Sequence, residues 1–190
     1  MARKKKKEEL TRKERIVNAI DDFVKGGKTY IVYDNDSSFT LIIDSKAAVV
    51  SDYDTIRGIA GWAGIYDLSP GYKVRKGKKI ENSTDEVPED ITPFFAEWKK
   101  KSIYEVYVSG LSLPWGTRIV KASKVCSSSQ FGGVSELMAS VLQEFGSSNC
   151  ESIEHPIIAS AEGITFVAMP MRIPEREMGK AIEDMKRLVG

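Results

Sequence analysis

The sequence predicts a mixed α/β (α+β) chain of two small units, each a mainly antiparallel sheet with packed helices. Short β-branched and aromatic runs repeat at the strand period while other stretches repeat at the helical period, so both element types are expected. Residues 103 to 145 change period once, from strand to helix. Between residues 77 and 90 the chain is almost wholly polar, with Gly77, Pro88 and charges of both signs, and neither period is sustained there. The expected organisation is therefore a basic flexible arm over 1–12, an N-terminal α/β unit over 13–76, a linker over 77–90 and a C-terminal domain over 91–190.

Hydrophobic residues make up 42% and charged residues 29% of the 190 positions, which is ample for a packed core and argues against disorder over most of the length. The net charge of +1 provides no global field toward nucleic acid or an anionic bilayer. The exception is local: Arg3, Lys4, Lys5, Lys6, Lys7, Arg12 and Lys13 face only Glu8 and Glu9. Such a block is a solvated arm, or else an arm that touches phosphate through Lys4, Lys5, Lys6 and Lys7, with no aromatic interleaved to stack on bases. No apolar run reaches the length of a membrane span, and Glu8-Glu9 follows the basic start where a signal peptide would be apolar, so a cytoplasmic protein is expected. Cys126 and Cys150 lack CxxC spacing and are expected to be buried free thiols.

In the first unit, Ile16, Val17, Ile20, Phe23 and Val24 share one face of a helix over 11–25 that Gly26-Gly27 stops. Residues 29–33 and 39–43 read as a hairpin around Asp34-Asn35-Asp36-Ser37-Ser38, followed by a third strand over 47–50. The hairpin loop begins like a calcium loop, but Phe39 and Ser45 stand where Gly and Glu are required, so no metal is expected. Asp54 is the expected cap of a helix over 55–62 that carries Ile56, Ile59 and Ala60 inward, and a strand over 72–75 closes the unit. A helix, a hairpin plus strand and a short helix ending Gly-Trp-Ala-Gly-Ile-Tyr resemble the PATAN (DUF4388) adaptor domain, chiefly through Trp62 and Gly64. The same residues are read as core packing.

In the second unit, Thr92-Pro93 opens a helix through Phe94, Phe95 and Trp98 that ends on Lys99 to Lys101. Residues 103–108 and 117–125 alternate as half-exposed strands, and the loop between them carries Trp115, either a contact anchor or a side chain folded onto the core. The clearest helix bears Val134, Leu137, Met138, Val141, Leu142 and Phe145 before Gly146. Its approach, residues 127–133, is small and Ser/Gly-rich: serine caps with turn glycines, or a cradle of N–H groups for an anion. Residues 157–161 and 164–169 form a hairpin about Glu162-Gly163, and Met178, Ala181, Ile182, Met185, Leu188 and Val189 mark a terminal helix. His155, the single histidine, lies far in sequence from both cysteines, so no Cys-His dyad is expected.

The order helix, strand, strand, helix, strand, strand, helix over 91–190 resembles the roadblock/LC7 domain, a profilin-like αββαβββα module, with residues 150–153 left to supply a third late strand. That resemblance implies a non-enzymatic homodimer that regulates or scaffolds a Ras-like small GTPase, with no cofactor. The partner surface expected on it is Trp115, Phe131, Val134 and Met138, with the dimer formed by a sheet edge and the helix over 134–145. An alternative uses the same stretch: Gln130, Gly133 and Ser135 resemble the acyl-CoA pyrophosphate turn of GNAT acetyltransferases, which implies acetyl-CoA as cofactor, although Ser135 departs from the Gly/Ala expected there. A third expectation is nucleic-acid binding through the lysine arm.

Overall fold

The computed structural model describes residues 10–113, 116–122 and 131–173, together with Glu177, Gly179 and Glu183, which are helical. The first apolar stripe forms α1 (Arg12–Lys25), started by a capping box: Thr11 Oγ1 accepts from the Glu14 N–H, and the Glu14 carboxylate accepts from the Thr11 N–H. A meander of β1 (Thr29–Asn35), β2 (Ser38–Ile43) and β3 (Ala47–Ser51) leads to α2 (Tyr53–Trp62), and β4 (Gly71–Lys76) and β5 (Lys79–Asn82) follow. Next come α3 (Thr92–Lys101), β6 (Tyr104–Leu113), β7 (Thr117–Ala122), β8 (Phe131–Ser135) and α4 (Glu136–Phe145). The described strands end with β9 (Asn149–Cys150), β10 (Ile157–Ala161) and β11 (Ile164–Ala168).

All of these strands join one 11-stranded sheet in the order β5-β4-β1-β2-β3-β11-β10-β9-β6-β7-β8. Every registered pair is antiparallel. The two predicted units thus share a sheet, stitched where β3 pairs with β11 from Val50↔Thr165 to Ala47↔Ala168. They also share a plan: in each, a three-strand meander is followed by a helix and by a strand that returns beside the first strand of the meander, β4 beside β1 and β9 beside β6.

Strand alternation divides the apolar residues between two faces. Leu41, Ile43, Val49, Ile157, Phe166 and Ala168 join α1, α2 and α4 in the larger core, while Ile42, Ala48, Ile158 and Val167 face the other way and are covered by Phe95 and Trp98 of α3. Between that helix, the preceding segment and the sheet lies an apolar cavity of about 190 Å³, lined among others by Ile31, Ala48, Phe95 and Met169.

Several expected boundaries move. Asp52, not Asp54, caps α2, two residues earlier than expected, because its extended backbone lets its carboxylate accept from the Thr55 N–H. Ile91 rather than Thr92 holds the cap position of α3, without a side-chain bond, and Thr92 is already helical. Part of the expected linker is the edge strand β5, whose Lys79 and Glu81 suit a sheet edge that must not pair further. Residues 131–135 are strand, not the approach to a helix, so α4 begins at Glu136 with Ser135 as its cap. Three strands therefore precede α4 where two were expected, and β9 supplies the additional strand after it.

Gly133 shows why β8 carries glycines. Its outer edge exchanges two backbone bonds with Met171, at 2.9 and 2.7 Å, and a Cβ on it would stand 2.5 Å from the Thr117 methyl. Gly133→Ala is expected to cost about 2 kcal/mol through overpacking. Thr117→Ser removes the obstructing methyl, so the double variant should lose clearly less than the sum of the single changes in urea unfolding. Strict additivity would show that the crowding is relieved elsewhere.

Candidate functional site

The best-defined polar network among the described residues lies where α1 and α2 end together. A helix leaves its last carbonyls without partners, and a cation there is favoured by the dipole. Arg75 on β4 meets both requirements: its Nε donates to Gly27 O at 3.0 Å, and its Nη2 donates to Ala63 O at 3.0 Å and to the Tyr30 hydroxyl at 2.8 Å. The Tyr30 hydroxyl in turn shares its proton between Gly27 O at 2.7 Å and Val24 O at 2.9 Å, while the guanidinium stands 5.7 Å from the Tyr30 ring centroid. Burial raises the Tyr30 phenol above its ordinary pKa against the opposing pull of Arg75, so it stays a neutral donor. Gly27 has no room for a side chain, since a Cβ would lie 2.7 Å from Ile43 Cγ2.

This clamp fixes the backbone on which two aromatic side chains are presented. Trp62, the last residue of α2, is 67% exposed, and Tyr66 is 87% exposed. Ala63 and Ile65, interleaved with them, are buried instead. The expectation that Trp62 packs in the core is therefore corrected: α2 spends Ile56, Ile59 and Ala60 on the sheet, and Trp62 falls outside that face. Lys25 Nζ sits 5.3 Å from the Trp62 ring centroid, a cation–π contact that orients one face of the indole. On the other side of the α1 terminus, Leu137 of α4 lies near Gly26 and is also exposed.

Of the residues singled out from sequence as site candidates, the structure describes Gly133, Val134, Ser135 and Met138. Lys4, Lys5, Lys6, Lys7, Trp115 and Gln130 lie outside the described residues, as does the side chain of Phe131. Val134 and Met138 are buried in the larger core, because β8 and the inner face of α4 pack on it; a docking surface built on these two side chains is not present in this fold. In the anion-cradle stretch, the Gly133 N–H is committed to Met171 O, and Ser135 Oγ accepts from the Met138 N–H, so these two positions act in a β-bridge and a helix cap. Asp36 occupies the tight β1–β2 turn with φ of 54°, a conformation Asp tolerates.

Chemistry-bearing groups are dispersed among the described residues. Burial pushes the Cys150 thiol up to about 11, which removes the thiolate a nucleophile needs, and His155 instead shares a hydrogen bond with Ser152 at 2.8 Å. Among the described residues no cluster of His, Cys, Asp or Glu could hold a metal ion. No described helix is long and apolar enough to cross a membrane. No family model, curated protein or solved structure matches the chain.

Proposed function

We propose that the chain is a non-enzymatic interaction module that presents Trp62 and Tyr66 to a protein partner. The observation that carries this is their exposure on a backbone held rigid by Arg75, because large aromatics left in water on a fixed frame are the side chains from which interface hot spots are made. A flexible loop would lose part of that binding energy in ordering; Trp62 sits on a helix end clamped to the sheet, and Tyr66 follows on a segment tied back by the Ile65 N–H to Ala60 O at 2.9 Å. The finer form of the reading is a cytoplasmic homodimer of the roadblock/LC7 kind that regulates or scaffolds a Ras-like small GTPase. Its support is the element order α3, strands, α4, then three strands over the second half of the chain.

The test is photo-crosslinking from a benzophenone side chain at position 62, with the exposed position 105 on β6, between β9 and β7 in the sheet, as the control. A discrete adduct specific to position 62 is expected; twice the chain mass identifies a homodimer and any other mass a different partner. Adducts no different from those at the control position would overturn the reading.

A further inference from the structure

The chain's near-neutral total charge hides a local excess at the end of the sheet beside Trp62. Lys28 precedes β1, Lys46 precedes β3, and Lys76, Lys78 and Lys79 surround the β4–β5 turn; all five are exposed. The strands they adjoin are neighbours in the order β5-β4-β1-β2-β3, and these ends coincide: Lys76 registers with Lys79, the Arg75 N–H donates to Lys28 O, and the Asp44 N–H donates to Thr29 O. With strands about 4.8 Å apart, the lysines form a row roughly 19 Å long. The row continues onto the aromatic patch through Lys25, which touches Trp62, and through Arg75, which holds Ala63.

Local carboxylates offset it only in part: Asp22, Asp44 and Glu81 stand against Lys25, Lys28, Lys46, Arg75, Lys76, Lys78 and Lys79. Glu81 pairs with Lys76 and Asp22 with Lys25. Asp44 Oδ1 is occupied by the N–H groups of Lys28 and Thr29 and by the Thr29 hydroxyl. Lys28, Lys46, Lys78 and Lys79 make no ion pair with any described residue.

We infer that the partner of the Trp62–Tyr66 site is an extended acidic protein segment with an apolar anchor, the anchor on the two aromatics and about six following residues, at roughly 3.3 Å each, along the lysine row. This rests on the interaction-module reading and adds the chemistry of the partner. Charge complementarity selects an acidic ligand, and Asp67 selects a peptide over a nucleic acid. Asp67 adjoins Tyr66 in sequence; hydrogen bonds from the Ser69 N–H and hydroxyl, with the Lys73 ammonium 3.5 Å from its Oδ2, hold its carboxyl down to about 2, so it is ionised at any physiological pH, and its side chain remains exposed. A strand of nucleotides stacked on Tyr66 would bring phosphate against that carboxylate, because every nucleotide carries a charge. A peptide separates its apolar residues from its carboxylates and avoids the clash.

The experiment uses the full chain and a fluorescein-labelled peptide carrying Leu-Phe followed by six glutamates, read by anisotropy. The same peptide with six glutamines, a twelve-nucleotide single-stranded oligothymidylate and light scattering of the chain alone complete the set. The glutamate peptide is expected to bind at least about tenfold tighter than the glutamine peptide and to weaken about tenfold between 50 and 300 mM salt. Lys28→Glu with Lys78→Glu should reduce that affinity by at least about tenfold at an unchanged urea midpoint, both side chains being exposed. Trp62→Ser should lower the affinity for both peptides. Tighter binding of the oligonucleotide would assign the row to nucleic acid, and a dimer that dissociates on charge reversal would assign it to a second copy; either overturns the inference. Indifference to charge reversal overturns it too, and if crosslinking from position 62 persists in that case, the interaction-module reading stands and only the acidic partner falls.

Discussion

Phe166→Ala is expected to lower unfolding stability by about 4 kcal/mol, the middle of the range for emptying a buried phenylalanine site. Phe166 is fully buried, and its ring meets two others: Phe23 of α1 edge-on at 5.9 Å between centroids, and Phe145 of α4 nearly parallel at 6.4 Å. One side chain thus joins the helix that opens the first half of the chain to the helix at the centre of the second. It does so from β11, the strand whose pairing with β3 makes the two halves one sheet. Truncation leaves a cavity bounded by residues from both halves, and neither helix can move into it without dragging its own packing. The loss should therefore appear as a single urea transition displaced as a whole, with an unchanged dependence on denaturant. Two transitions, of which only one shifts, would show that the halves are separate cores that happen to share a sheet edge.

That joint is also where sequence reading stopped. Periodicity located α1 and the hairpins β1–β2 and β10–β11 closely, because each is specified by local alternation and its own turn residues. It missed β5, β8 and β9. β9 has two residues, β8 contains Gly132 and Gly133 where side chains normally signal a strand, and β5 is charged because it is an edge. What makes each a strand is its neighbour in space: β4 for β5, β7 for β8, and β6 with β10 for β9. The candidate surface was hidden for the same reason. Trp62 lies in a small-residue run that reads as packing, Arg75 reads as one more strand cation, and the lysines at 28, 46, 76, 78 and 79 are scattered until the strand ends align. Val134, expected on the helix, lies in β8, and Met138 lies on the inner face of α4; both are apolar positions turned to the core, because β6, β7, β8 and β10 pack against that helix.

One residue on α1 breaks the local rule that buried polar groups have partners. Asp21 is 5% exposed, and its Oδ1 accepts no hydrogen bond from the described residues. Burial pushes its carboxyl up to about 6 from 3.8; the Asp22 charge pushes the same way, and Lys25 pulls against both. Because the folded pKa is the higher one, the folded state holds the proton more tightly than the unfolded chain does. Stability attached to this group is therefore present in full below about pH 3.8 and is lost as the pH rises through about 6, by up to about 3 kcal/mol. Asp21→Asn removes the ionisation while keeping the shape. It is expected to raise stability by as much as about 3 kcal/mol at pH 7.5 and to bring almost no gain at pH 4, where the native residue is already neutral. Urea unfolding of both proteins across that interval measures the difference directly. A gain of equal size at both pH values would mean that the benefit comes from hydrogen bonding by the new amide, and no gain at pH 7.5 would mean that the carboxylate is solvated or paired in the native state. The helix that carries Asp21 also positions Lys25 and Gly27, so its cost falls on the element that frames the aromatic surface. A stabilised Asp21→Asn protein that still crosslinks from position 62 would show that the surface depends on the Arg75 clamp and not on the strain of a buried charge.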